Sequence, residues 1–364
     1  MKIAFYAPLK SPNHPVPSGD RLMARLLMQA LADAGHFVEI VSEFRGYAGE
    51  PDPKLLGELA AEAKAEAGRI AARWQANGAP DLWFTYHSYY KSPDRLGPAL
   101  SASAGIPYVT AEASYSKRRD EGDWFESQQL VVAGVRQAAL NLCLTERDRA
   151  GLLAAVPEGR YARLPPFVDT ARFAASVPGS RRLVTVAMMR SGVKFDSYVM
   201  LAKALERIRE RDWTLTVIGG GPKRDDVRGL FSAFGEDRIV WRGELAAETV
   251  AAELAAGGVY VWPGFGEAYG LAYLEAQAAG LPVVAQKTAG VPEVVVYGTT
   301  GLLTGEGDIG AFAQAIASLL DDDARRGQMA DAALRFAHGE RSLAAASKRL
   351  DLLLRQYASR SDDR

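Results

Sequence analysis

Cysteine is nearly absent from this 364-residue sequence, which holds one, Cys143. A single thiol makes no internal disulfide. It lies in an apolar strand-like run, ALNLCLT, so a reducing compartment and an ordinary core role are expected. An excess of charge is missing too: 43 Lys and Arg face 44 Asp and Glu, for a net charge of −1. Nucleic acid is therefore not an expected partner, because neutralising its phosphates needs clustered Lys and Arg. No apolar stretch of about 18 residues occurs, and the start, MKIAFYAPLK, has only a short apolar run. Neither a membrane span nor a secretory leader is expected, and a cytoplasmic location is the simplest reading. The spacing G-x-G-x-x-G is also lacking, since the nearest run reads GGGPKR, which argues against a nicotinamide-dinucleotide enzyme. The one Asp-x-Asp triplet, Asp321 to Asp323 in LLDDDARR, ends an apolar helix and reads as a solvated cap, so no metal site is expected.

What is present is the pattern of a globular α/β protein. The length exceeds one ordinary core and favours two domains. Short β-rich runs bounded by turn residues alternate with longer runs of helical period, which predicts parallel sheets flanked by helices. KIAFYAP, FVEIVS, DLWFTYH, IPYVTAEAS and NLCLT form a first series of strands. Its first helix, RLMARLLMQALADAG, places Leu22, Leu26, Leu27, Ala30 and Leu31 on one face, with Gly35 as its C-terminal cap. PKLLGELAAEAKAEAGRIAARWQANG is a long second helix ended by Asn77-Gly78. The pattern breaks at PPFVDTARFAASVPGSRR, a linker. LVTVAMM, TLTVIGG, IVWRG, GVYVWP and LPVVAQ form a second series, with helices near 197–210, 224–234, 247–256 and 271–279. The domains then span 1–168 and 169–340, and a helical segment, 341–364, packs back on the first. Two such halves leave a cleft between the carboxyl edges of their sheets, where doubly wound folds bind ligands. The tail SRSDDR is expected to fray.

Residues 263–280, PGFGEAYGLAYLEAQAAG, pass from a glycine-rich loop into a helix and hold Glu267 and Glu275 with seven residues between them. Leu271, Leu274 and Ala278 share a helical face, which Gly280 and Pro282 terminate. Glu275 is thus on the helix and Glu267 before it. Fully helical spacing would set their α-carbons about 12 Å apart, wider than the roughly 5–9.5 Å between the carboxyls of a glycosidase pair. The two acids read as separate hydroxyl grips, with loop N–H groups at a helix N-terminus suited to phosphate oxygens between them. A nucleotide sugar, with a diphosphate between two hydroxylated rings, has that shape. Arg190 and Lys194 in MMRSGVK follow the LVTVAMM strand toward the same edge. The competing reading is a plain amphipathic helix with Glu275, Glu267 and both cations solvated. VIGGGPKRDD, which contains Gly219, either brings backbone close to a ligand or makes a turn.

Taken together, these segments resemble family 4 of the retaining glycosyltransferases, enzymes with the α/β GT-B fold of two Rossmann-like domains facing across a cleft. The resemblance is carried by WPGFGEAYGLAYLEAQAAGLPVVAQKTAGVPEVVVYGTTGLLT, with its E-x7-E motif and its Gly-Val-Pro-Glu and Gly-Leu-Leu turns. PPFVDTARF, RSGVK, VIGGGP, VWRGEL and AGHFVEIV add to it. It covers the second domain strongly and the first weakly. It implies that Glu275 binds the ribose hydroxyls, that Glu267 faces the transferred sugar, and that Arg190 and Lys194 hold the diphosphate. Tyr269, Gly270 and Leu271 occupy the loop whose main chain meets sugar and phosphate, Gly219 lies in the donor-side turn, and Arg242 and Leu245 sit at the nucleobase. His87 matches a first-domain histidine near the donor sugar, and of VPSGD only Gly19 matches the family's paired glycines. Glu112 and Lys117, in TAEASYSKRRDEGDW, sit where a first-domain loop meets an acceptor, with a solvated loop as the alternative. His14, His36 and His338 are read as structural or surface residues.

The implied reaction is metal- and cofactor-free transfer, with retention, from a nucleotide-diphosphate sugar to an unidentified acceptor such as a bacterial envelope glycan, lipid or small molecule. Positive side chains and a helix N-terminus would stabilise the leaving diphosphate. Two alternatives stand beside it: a sugar-nucleotide epimerase or hydrolase of the same fold, which needs a water-activating acid/base pair, and a non-catalytic nucleotide-sugar-binding subunit. Contact with a membrane surface would rest on local patches such as Lys117 to Arg119 or the first helix, and would be weak.

Overall fold

A computed structural model describes residues 1–175, 180–235 and 237–358. Part of the linker and the terminal SRSDDR lie outside these described residues. The chain divides into two compact units, one formed by Met1–Pro165 together with the chain from Leu343 on, the other by Pro166–Ser342.

The first unit is built on β1 (Lys2–Tyr6), β2 (Phe37–Ile40), β3 (Leu82–Tyr86), β4 (Tyr108–Ala111), β5 (Leu140–Cys143) and β6 (Tyr161–Arg163). The strands are parallel in the order β2-β1-β3-β4-β5-β6. A parallel sheet is covered on both faces, so its central strands are apolar throughout, and β3 is buried at all five positions. Between the strands run α1 (Gly19–Asp33), α2 (Pro53–Asn77), α3 (Gly97–Ala104), α4 (Phe125–Gln137) and α5 (Glu146–Ala155). Ser18 caps α1 by accepting from the Arg21 N–H, and the helix buries Met23, Ala24, Leu26, Leu27, Ala30 and Leu31. Leu22, expected on that face, is only half-buried, because the stripe is set one residue further on. Gly35 follows the helix at φ 84°, the left-handed turn that an L residue adopts at a cost. Cys143 is buried in β5, and burial pushes its thiol up to about 12.

The second unit contains β7 (Arg182–Val186), β8 (Thr214–Ile218), β9 (Ile239–Gly243), β10 (Val259–Val261), β11 (Val283–Gln286) and β12 (Gly301–Thr304). These are also parallel, in the order β12-β11-β10-β7-β8-β9. Its helices are α6 (Val193–Glu206), α7 (Arg224–Leu230), α8 (Ala247–Ala255), α9 (Leu271–Ala278), α10 (Ile309–Asp321) and α11 (Asp323–Glu340). Gly301-Leu302-Leu303, read from sequence as a turn, is instead the edge strand β12 paired to β11. It is short and its neighbours are polar, so its apolar run carried no strand period of its own. Asp322 caps α11 through the Arg325 N–H, while Asp321 pairs with Arg211 and Asp323 with Arg326.

The last described helix, α12 (Leu343–Tyr357), packs on α1 in the first unit. His36 Nε2 lies 3.3 Å from Asp351 of that helix, and Arg349 Nε donates to the Arg163 carbonyl at 2.6 Å. Among the described residues, no helix is long and apolar enough to cross a membrane.

Candidate active site

In a doubly wound sheet the ligand crevice opens beyond the carboxyl ends of the strands, where the strand order reverses. In the second unit that point lies between β7 and β10. The chain leaving β7 runs through Met189 and Arg190 into α6, and the chain leaving β10 runs through Trp262 into the glycine-rich loop and α9. Lys194 and Glu267 meet across the gap as an ion pair. The Glu267 carboxylate also accepts from Trp262 Nε1 at 3.2 Å, and the Lys194 ammonium stands 5.7 Å from the Trp262 ring centroid. Trp262 is held in turn by Tyr198, edge-on at 4.9 Å, and by Tyr273, whose hydroxyl donates to the Trp262 carbonyl at 3.1 Å. All three rings are buried.

Two glycines allow this loop to close. Gly264 has φ 75°, and a Cβ there would overlap the Tyr273 hydroxyl. Gly270 has φ 80°, and a Cβ there would lie 2.6 Å from the Tyr273 ring. Only glycine fits both the backbone and the space. Phe265 N–H donates to Ser197 Oγ of α6 at 3.0 Å, tying the loop to the helix that carries Lys194.

Glu275 sits in a different setting. It is half-buried on α9, and among the described residues no donor reaches its carboxylate. Burial pushes its carboxyl up to about 7, while the Arg172 guanidinium pulls the other way. Arg172 stacks on Phe173 at 5.5 Å and keeps a buried Nε without a hydrogen bond among the described residues.

The carboxyl edge of this sheet also presents four helix N-termini, those of α6, α7, α8 and α9, and none has a side-chain cap. In the first unit Ser18, Asp52 and Thr145 each cap a helix with a side-chain oxygen. Uncapped N–H groups and the positive ends of helix dipoles favour anionic oxygens. Arg190 is exposed nearby and forms no ion pair among the described residues. Gly219, at φ 131°, gives way to the Ala187 carbonyl, so the VIGGGP glycines chiefly let β8 cross the chain leaving β7. Arg242 pairs at 2.8 Å with Glu253 of α8, which also pairs with Arg182, and Leu245 is half-buried beyond β9. Tyr269 and Leu271 are buried around the start of α9.

The first unit repeats the topology, with its reversal between β1 and β3. Asp20 opens α1 after β1, beside Gly19, where an added Cβ would meet nothing within 4 Å. His87 follows β3, and its Nδ1 lies 3.1 Å from Asp20 Oδ1, an ion pair once the ring is protonated, though without well-aligned hydrogen-bond geometry. Burial lowers the His87 pKa, but Asp20, Glu112 and Asp148 outweigh it and the ring sits above its ordinary value. Glu112, at the end of β4, is 7% exposed, and burial pushes its carboxyl up to about 7 despite His87. His87 and Glu112 have φ of 59° and 56°, a left-handed backbone that costs non-glycine residues about 1–3 kcal/mol each. Glu112 is therefore not a solvated loop charge, whereas Lys117 is exposed at the start of a short 3-10 turn. Among the described residues, no group of three or more His, Cys, Asp or Glu is placed to hold a metal ion.

A D-inositol 3-phosphate glycosyltransferase of Arthrobacter sp. (strain FB24) is 29% identical over 387 aligned positions, spanning 93% of this chain and 91% of that protein. Residues 180–322, which include both Glu267 and Glu275, match the family model described as Glycosyl transferases group 1. The chain carries a group 1 glycosyltransferase domain. Sucrose-phosphate synthase from Thermosynechococcus elongatus superposes at a TM-score of 0.73, with 20% identity and 98% of each chain covered. An Anabaena protein, HepE, solved in complex with UDP-glucose, superposes at 0.69, with 15% identity, covering 98% of this chain and all of that one. These likenesses show the GT-B fold.

In this glycosyltransferase the structure brings Lys194, Glu267 and the start of α9 together in one unit, and His87, Asp20 and Glu112 together in the other. Arg172, Trp262, Tyr273 and Asp20 escaped the sequence reading. Trp262 and Asp20 stand inside segments that had been singled out, and the signal was their place at strand and helix ends beside the reversal points. Arg172 had no such signal, because its approach to Glu275 is purely tertiary. His36 and His338 are structural, the latter 2.9 Å from the Ala278 carbonyl, and His14 accepts from the Val16 N–H at 3.1 Å.

Proposed function

We propose that this glycosyltransferase moves a sugar from a nucleoside-diphosphate sugar to a hydroxyl acceptor, with retention of anomeric configuration and without a metal ion. The observation that carries this reading is the contrast between the two carboxylates of the E-x7-E motif. Glu267 is held by Lys194 and Trp262 at the strand-order reversal, while Glu275 lies on α9, where among the described residues no donor reaches its carboxylate. A carboxylate without protein donors suits the two hydroxyls of a ribose. One that is already oriented by a cation and an indole suits the sugar being transferred. The uncapped start of α9, Lys194 and Arg190 are assigned to the diphosphate, where they would supply positive potential as charge grows on the leaving group.

The donor class is supported by the Anabaena neighbour's complex with UDP-glucose. His87, Gly19 and Glu112 are assigned to the sugar and acceptor side, Arg242, Leu245 and Gly219 to the nucleotide end, and Lys117 to the acceptor rim. An epimerase or hydrolase would need a free acid/base pair at one carbon, and Glu267 is already engaged.

Titration calorimetry with UDP and with GDP, beside a transfer assay run with and without a chelator, tests the reading. Glu275→Ala should weaken binding of the preferred diphosphate about tenfold to a hundredfold, the scale of lost charge-assisted hydrogen bonds. Glu267→Ala should instead reduce turnover, because interactions that tighten in the transition state appear in the rate. Equal effects from both mutants, or activity that vanishes with the chelator, would overturn it.

A further inference from the structure

The first unit contains a groove that none of these assignments uses. It has a volume of about 670 Å³ and lies between the first turns of α2 and α4, with Arg95 at the approach to α3. That size falls in the roughly 300–1,000 Å³ range of small-molecule sites. Its lining is mixed: Leu56, Phe125 and Leu130 are apolar, while Arg95, Asp123 and Glu126 are charged. Phe125 and Leu130 are 46% and 37% exposed, so apolar surface is left facing the opening. Arg95 is half-buried, burial lowers its pKa, and its buried Nε has no hydrogen-bond partner among the described residues.

These features select an occupant. One guanidinium beside two carboxylates disfavours an anion, and three charged side chains disfavour a hydrocarbon chain. A neutral polyhydroxylated ligand meets every group, because its hydroxyls accept from Arg95 and donate to Asp123 and Glu126. Its C–H faces cover Phe125 and Leu130.

Ring contacts also link the groove wall to the strand-order reversal of the first unit. From His87 a series of rings runs outward, with centroids 5.3 Å apart to Tyr89, 5.4 Å on to Tyr90 and 5.2 Å on to Trp124. Phe125, next in the chain, lines the groove. Arg119 stacks on Tyr90 at 4.8 Å along the way. The helix itself keeps the space open: Gly57 lines the groove inside α2, where glycine is a poor helix former, and a Cβ there would meet nothing within 4 Å.

We propose that this groove is a carbohydrate subsite, holding sugar residues of a glycan acceptor beyond the residue that is glycosylated. Its role in transfer rests on the function proposed above, whereas binding itself does not. The test uses the full chain and saturation-transfer difference NMR with maltotriose, mannotriose and chitotriose as probes, each at millimolar concentration. At least one trisaccharide should give a signal, and Gly57→Leu should abolish it. Leucine is the better helix former, so that variant should melt no lower than the native chain and should bind UDP or GDP unchanged. Arg95→Met should weaken the trisaccharide about tenfold. No signal from any of the three, a signal that survives Gly57→Leu, or a signal from octanoate in their place would overturn the proposal. Failure of the chain to bind either nucleotide would count against the transfer reading alone, since the trisaccharide arm stands apart from it.

Discussion

Lys194 and Glu267 are ion-paired against the indole of Trp262. The cation proposed for the diphosphate is thus already neutralised by the carboxylate proposed for the sugar. A nucleoside diphosphate binds toward one and against the other. Glu267→Gln frees Lys194 and removes the opposing charge, so diphosphate affinity should rise about two- to fivefold, the scale of one partly exposed ion pair. Transfer should fall about a hundredfold in the same variant. Lys194→Ala should weaken binding, and adding Glu267→Gln to it should restore part of the loss. Calorimetry on the four proteins gives the cycle, and weaker binding by Glu267→Gln alone would contradict this account.

The Glu275 carboxyl has an ordinary value of 4.5 and is pushed to about 7 by burial in the folded protein. Between those values the folded state binds more protons than the unfolded chain, so stability falls as pH rises through that window and stays reduced above it. Glu275→Gln removes the buried charge. It should stabilise the unliganded protein by on the order of 2 kcal/mol at pH 8 and leave it nearly unchanged near pH 4.5. Thermal unfolding of both proteins across that range measures the difference. A gain that is equal at both ends would show that Glu275 is ionised throughout.

His87 is held above its ordinary pKa by Asp20, Glu112 and Asp148 acting against burial. A raised histidine pKa adds stability below the unfolded value, and that contribution disappears as pH rises through the folded one. Asp20→Asn and Glu112→Gln should each lower the His87 pKa. Ring-nitrogen chemical shifts followed through a pH titration report it directly. A value that stays put in both variants would mean that another group sets the charge of this ring.

Gly264 should tolerate no side chain. Its φ of 75° and the overlap of a Cβ with the Tyr273 hydroxyl combine backbone strain with a clash against a buried ring. Gly264→Ala should cost about 2–4 kcal/mol. Since Tyr273 also fixes Trp262, the variant should disturb the Lys194–Glu267 pair and lose transfer activity as well. Melting temperature and turnover should therefore fall together, and a variant that melts normally would show that the loop has room to shift.

Much of this arrangement was legible in the sequence because local signals agreed with the fold. Apolar runs such as LWFTY and LVTV are short, bounded by turn residues and fully or nearly buried, and they became the central strands. Glu267 and Glu275 were separable by eye because Gly270 marks where the loop ends and the helix begins. β6 and β12 were missed because three- and four-residue edge strands have too little pattern to stand apart from turns. The environments of the acids were not legible at all. Glu112 reads as one more charge in a polar loop, yet it is buried against His87, since its setting depends on the neighbouring strands β3 and β5 and on Asp148 from α5. Arg172 likewise lies in a linker whose sequence says nothing of Glu275.

The placement of α12 has a consequence for synthesis. The second unit is one unbroken stretch of chain and has all its strands and helices once Ser342 has left the ribosome. The first unit has its whole sheet by Arg163, but the side of α1 that α12 covers, with His36 and the Arg163 carbonyl, has no partner until residues beyond 342 appear. Nascent chains halted near residue 200 should therefore expose an apolar stripe on α1 to chaperones, although every strand beneath it is already made. The half that is translated first is the half that is finished last.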